Sequence, residues 1–223
     1  MKVIFLICWI LLTLGISTFA LILAKRYGVG IATGTFAGMV VISNIIAIKP
    51  VIFGPFIVPA AVLIYAATFL MTDVICEVWG KKEAQRAIIG GFIANIFLVI
   101  GVYLTIMWPG AVFWKKQEAL VSILGLTPRI VLASMVAYLI SQTHDVFAFH
   151  FWKTKTKGKY LWLRNNASTA VSQLIDTVIF ITVAFYGVMP VFSLIIGQYV
   201  AKLIIAILDT PFCYMGVKIV KKK

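Results

Sequence analysis

The chain has 223 residues, of which 62% are hydrophobic and 12% charged, with a formal net charge of +13; soluble domains carry roughly 45–50% apolar and about 25% charged residues. A soluble fold of this composition would lack the polar surface to cover its core, so the surplus apolar surface must face lipid. The positive charges lie in short segments between apolar runs, not on a basic strip interleaved with aromatics, which argues against nucleic acid as a partner and for the charge asymmetry that orients membrane proteins.

A transmembrane helix needs about 20 mostly apolar residues, and seven such spans are predicted in chain order. The first covers 3–24; it is longer than the roughly 7–15-residue apolar region of a signal peptide and is followed by no A-x-A-like site. The second covers 30–48. The link KPVIFGPFIVP that follows is rich in Pro and Gly, which predicts an irregular or re-entrant segment in place of continuous helix. The third span covers 56–78 and ends in the polar string TDVICEVWG. The fourth, 87–108, is stopped by Trp108-Pro109-Gly110. The fifth, sixth and seventh cover 128–151, 167–188 and 192–217. The expectation is one all-α integral membrane domain over residues 1–223.

Seven spans place Lys2, Lys49, Lys115, Lys116 and Arg129 on one side of the membrane. The other side receives Lys25, Arg26, Lys81, Lys82, Arg86, the run KTKTKGK, Arg164 and the basic tail at 218–223. That division is 5 against 14, with Lys202 inside the last span. The richer side belongs in the cytoplasm, so the N-terminus is expected outside and the C-terminus inside. The run KTKTKGK reads as a solvated cytoplasmic loop that can also touch anionic headgroups. Asn166-Ala167-Ser168 matches a glycosylation sequon, but this topology places it in the cytoplasm. Cys8, Cys76 and Cys213 are scattered and odd in number, which argues against a disulfide framework or a zinc site.

Of the acidic residues, Glu83 and Glu118 fall in loops, while Asp73, Glu77, Asp145, Asp176 and Asp209 fall inside spans or near their ends. An ionised group at the bilayer centre costs roughly 2.5–3.5 kcal/mol on the insertion scale, so these acids must face the bundle interior, a water-filled cavity or the membrane edge. Asp73 and Glu77 are four residues apart and share a helix face. Thr169, Ser172, Gln173, Asp176 and Thr177 follow the spacing of a single face. The string Ser-Gln-x-x-Asp occurs twice, as Ser141-Gln142-x-x-Asp145 and Ser172-Gln173-x-x-Asp176, so two helices offer the same amide-plus-carboxylate pattern. In span seven Gln198, Lys202 and Asp209 lie near one face. Each polar group alone could be interhelical glue. The set holds many carboxylates against one internal lysine, and that excess suits a cation, protons or a ligand rich in N–H donors. His144 and His150, near the cytoplasmic end of span five, could relay protons or serve structure. Lys202 and Asp209 stand with His144 as candidates for either proton coupling or structure.

No G-x-x-x-x-G-K-[ST] loop is present, so the chain is not itself an ATPase, and no H-E-x-x-H, G-x-S-x-G or Cys-rich metal pattern occurs. No cofactor, metal or catalytic residue is expected. An intramembrane aspartyl enzyme would need two aspartates on separate helices, as Asp145 and Asp176 are, but the usual glycine-rich surround is missing.

An ordered set of strings is more specific than any one of them: Ser43-Asn44 with Lys49, then TDVICEVWG at 72–80, Ser141-Gln142-x-x-Asp145, WLRNNAST at 162–169, and Ser172-Gln173-x-x-Asp176-Thr177. Together they resemble the queuosine precursor transporter family, also called the vitamin uptake transporter family, over about residues 30–217. The resemblance implies a six-helix core at 29–217 similar to the substrate-binding subunits of energy-coupling-factor importers, with residues 1–28 as an additional N-terminal helix. It implies uptake of 7-deazaguanine bases, namely 7-cyano-7-deazaguanine, 7-aminomethyl-7-deazaguanine or queuine, for tRNA modification. Under it Asn44, Asp73, Glu77, Gln142, Asp145, Gln173 and Asp176 are expected to line the cavity. Carboxylates and amides suit the donor/acceptor edge of such a base, and Trp79, Trp162 or Tyr199 are candidates to stack on its ring. A binding subunit that needs a partner ATPase module is the other reading the resemblance leaves open.

Overall fold

A computed structural model of the chain describes residues 2–156 and 161–221. Among these residues the fold is almost all helix: α1 (Lys2–Tyr27), α2 (Gly30–Ile46), α3 (Val62–Val78), α4 (Lys81–Met107), α5 (Gln117–Leu124), α6 (Thr127–Lys155), α7 (Leu161–Phe185) and α8 (Val191–Lys221). Two short strands, β1 (Pro50–Phe53) and β2 (Phe56–Pro59), pair as an antiparallel hairpin between α2 and α3. Four helical stretches are long and apolar enough to cross a membrane: Leu6–Tyr27, Lys81–Met107, Gln117–Asp145 and Val191–Ile219. Gly30–Ile46 and Ala170–Phe185 are shorter apolar helices.

The helices are joined tightly where the sequence supplies glycine. Gly28 ends α1 at φ +98, and its N–H closes on the Ala24 carbonyl at 2.9 Å. Gly80, at φ +93, turns α3 into α4 immediately after Trp79. Both values lie in the region that side chains with a Cβ avoid. Connections this short force neighbours in sequence to be neighbours in space, and α1 packs on α2 as α3 packs on α4.

Two expectations need correction. Span three was expected from residue 56, but 56–59 is the second strand and the helix starts at Val62. The link expected to be irregular is a regular hairpin; Gly54 at φ +60 followed by Pro55 fits the two-residue turn that places glycine first. In addition, α4 begins six residues earlier than its apolar stretch, because Lys81–Arg86 continue the helix beyond the lipid-compatible part. The short helix α5 lies in a stretch where no element was expected.

The interior is inverted relative to a soluble protein. α3 packs against α1, α2, α4 and α8, and every residue from Val62 to Ile75 except Ile64 is buried. α6 packs along α7, and α7 on α8. Large apolar side chains on α1 and α4, such as Leu12, Phe19, Ile93 and Phe97, are exposed. By contrast Asn44, Asp73, Asn95, Asp145, Gln173, Asp176, Gln198, Lys202 and Asp209 are buried. Hydrophobic association in water cannot produce that arrangement, whereas apolar helices in lipid that hold their polar groups between them do.

Candidate functional site

Asp176 of α7 is a charge bonded from three other helices. Its Oδ2 accepts from Lys202 Nζ of α8 at 2.5 Å. Its Oδ1 accepts from the Tyr65 hydroxyl of α3 at 3.1 Å and from Ser141 Oγ of α6 at 3.3 Å. Four helices therefore meet at one carboxylate. Lys202 is fully buried, and its ammonium also lies 5.1 Å from the centre of the Tyr65 ring, within cation–π range. A buried ion pair persists only when further hydrogen bonds satisfy the remaining lone pairs and protons; Tyr65 and Ser141 do this for the acid.

On the other side of Lys202 and Tyr65 lies a small cavity. Ser43 and Asn44 of α2, Tyr65, Phe180 of α7, and Gln198 and Lys202 of α8 supply its wall. Pro59, Ala61 and Val62, where the hairpin runs into α3, close one end. The hairpin is pressed close against α8 here, because a Cβ on Gly197 would stand 2.4 Å from the Ile57 carbonyl oxygen. The Tyr65 and Phe180 rings are nearly parallel, 16° apart with centroids at 6.4 Å. The room left inside suits about one ordered water, so a bicyclic ligand would have to spread these walls on entry.

A second group of charges lies beside this site. Asp73 of α3, Asp145 of α6 and Asp209 of α8 are buried and near enough for their charges to interact. Some polar atoms in the interior lack a protein partner among the described residues, namely Ser43 Oγ, Gln173 Oε1, Thr177 Oγ1 and one Asp209 oxygen. Buried polar groups without partners cost about 1–3 kcal/mol each, and a polar ligand would offset that.

The expected site residues divide accordingly. Asn44 and Lys202 line the cavity. Asp176 stands behind the wall, holding Lys202 and Tyr65. Asp73, Asp145 and Asp209 form the acidic layer. Gln173 is buried on α7. Glu77 is half-buried near the end of α3 and does not reach the cavity wall. His144 bridges α6 to α7 through Ser172, at 2.9 Å. The side chains of Gln142, His150 and residues 162–169 lie outside the described residues. Of the aromatics expected to stack, Trp79 and Tyr199 are not on the cavity wall; Tyr65 and Phe180 are. Asn95 was also missed: it accepts from Asn44 Nδ2 at 2.6 Å and donates to the Gly91 carbonyl at 2.8 Å. An amide alone in the apolar run of α4 was the signal for it.

Residues 59–216 match the family described as "Putative vitamin uptake transporter". A "Probable queuosine precursor transporter" of Bacillus subtilis (strain 168) is 35% identical over 162 residues, covering 71% of this chain and 71% of that protein. The "Queuosine precursor transporter" of Escherichia coli (strain K12) is 30% identical over 118 residues, 53% of this chain and 51% of the relative. A "Probable queuosine precursor transporter" of Haemophilus influenzae is 26% identical over 125 residues, 56% and 50% of the two chains. No solved structure matches this chain. The family match runs from the end of the hairpin nearly to the end of α8 and takes in Tyr65, Asp73, Asp145, Asp176, Lys202 and Asp209. Several apolar helices around a buried polar interior, matched over most of the chain, make this a multi-pass membrane protein that belongs to the vitamin uptake transporter family.

Proposed function

We propose that this chain imports 7-deazaguanine bases, the precursors of the modified tRNA bases queuosine or archaeosine, and that the cavity at Tyr65 and Lys202 is where they bind. The relatives named as queuosine precursor transporters support it. The observation that carries it is the cavity wall itself: two amides, Asn44 and Gln198, one ammonium, Lys202, and two near-parallel rings. A guanine-like base is flat, with a carbonyl that accepts and ring and amino N–H groups that donate. The ammonium and the amide N–H groups suit the carbonyl, the amide oxygens suit the N–H donors, and Tyr65 and Phe180 offer flat apolar faces. Asp176 positions Lys202. Asp73, Asp145 and Asp209 supply negative charge for the amino group of an aminomethyl base.

In this reading α1, α2, α3, α4, α6, α7 and α8 are seven spans. Residues 29–217 form the transport core and α1 an added helix held to it through α2, α3 and α8. The excess of Lys and Arg on one side puts the N-terminus outside and the C-terminus in the cytoplasm. Thermal-shift binding to the purified protein tests the substrate class: a deazaguanine should raise the melting temperature, and Gln198→Ala should weaken that effect about tenfold in ligand concentration, as loss of a 1.4 kcal/mol contact would. Stabilisation by unrelated vitamins but by no deazaguanine would end the proposal.

A further inference from the structure

Beyond the binding cavity, the interior holds a second cavity and a groove, and the three lie in series. The second cavity, with room for about one ordered water, is walled by Phe36, Asn95, Ser134 and Tyr138, with Ile88 and Phe92 on its far side. Only a thin partition separates it from the binding cavity. One half of that partition is the Asn44–Asn95 hydrogen bond, whose two members face opposite cavities. The other is an edge contact between Tyr65 and Tyr138, with ring centroids 6.2 Å apart and planes at 84°. Ile88 and Phe92 in turn line an open groove between α4 and α6, about 380 Å³ in volume, with Lys81, Gln85 and Thr143 on its walls. The second partition is therefore aromatic: Phe92 meets Tyr138 edge-on at 6.3 Å, and Phe36 meets Tyr138 at 5.8 Å. Phe36 folds back against α4 where Gly91 leaves space, since a Cβ there would come within 2.9 Å of its ring.

We infer that the substrate passes from the binding cavity through the second cavity into the α4–α6 groove, with Tyr138, Phe36 and Phe92 as the gate between them. The inference rests on the transport reading above and adds the route. The groove opens beside Lys81, Gln85 and Thr143, at the end of α4 that the basic cluster Lys81, Lys82 and Arg86 assigns to the cytoplasm. A slot that merely held a lipid tail would have no reason to share two wall residues with a cavity that ends on a buried amide pair. Rotation of the Phe92 and Tyr138 side chains, together with spreading of the walls around the substrate, would join the three spaces.

Thr143 is exposed on the groove wall, so Thr143→Trp fills the groove without entering the core. Substrate binding, read by thermal shift, is expected to be unchanged, while uptake into vesicles falls at least tenfold. Leu132→Trp, at an exposed site of α6 away from the groove, should leave both unchanged. Phe92→Ala, which thins the second partition, should speed release of preloaded substrate severalfold. Wild-type uptake by the folded, substrate-binding Thr143→Trp protein would overturn the route, as would unchanged release from Phe92→Ala. Failure of the wild-type protein to bind any deazaguanine would instead remove the transport reading, and the route with it.

Discussion

At the scale of single residues, the Lys202–Asp176 pair makes the sharpest claim. Both side chains are fully buried, and removing one partner of such a pair leaves an uncompensated charge at a cost of about 3–5 kcal/mol. Asp176→Asn and Lys202→Met should each lower the melting temperature strongly, Lys202→Met by the larger amount if Tyr65 and Ser141 fail to hold the remaining carboxylate. The double variant should recover most of the lost stability, because no buried charge is left unpaired, yet it should not recover substrate binding. Thermal unfolding in detergent, read beside ligand-induced shifts, separates these two effects. The charges were legible in the sequence because an ionised side chain in an apolar span is expensive wherever it sits. Their pairing was not, because it joins separate helices. Tyr65 was illegible for a different reason: a tyrosine in an apolar run reads as filler until a partner for its hydroxyl is known.

At the scale of elements, the hairpin at 50–59 closes one end of the cavity through Pro59. Its three prolines and Gly54 lower strand propensity, so the stretch looked irregular. What makes it regular is tertiary: β2 packs on α8, and the Ala60 N–H closes the base of the hairpin on the Lys49 carbonyl at 2.8 Å. Gly197 sets how closely the two elements approach. Gly197→Ala should push the Ile57 backbone away, cost about 1–3 kcal/mol as overpacking does, and disturb binding through the neighbouring Gln198. A melting temperature and a ligand-induced shift equal to wild type would refute this role. The helices themselves were readable to within a few residues where hydropathy alone sets them. Their ends shifted where charged residues prolong a helix beyond the membrane, as Lys81–Arg86 do in α4.

At the scale of the whole molecule, lipid explains why the polar residues are inside. Composition fixed that inversion before any contact was known, and the proposed direction rests on the division of Lys and Arg between the two sides. Single cysteines introduced in a cysteine-free background test the direction. Lys82→Cys and Lys218→Cys should resist an impermeant maleimide added to intact cells, whereas Lys115→Cys should react. The reverse pattern would invert the bundle and with it the sense of transport.

The central claim is that this one chain carries a deazaguanine base across a membrane. It is tested most directly by placing the purified protein alone in liposomes and following radiolabelled 7-cyano-7-deazaguanine and 7-aminomethyl-7-deazaguanine. The account predicts saturable entry of at least one of them without ATP or any second protein, reduced by Gln198→Ala. Entry no faster than into empty liposomes, by protein that is folded and correctly inserted, would contradict it.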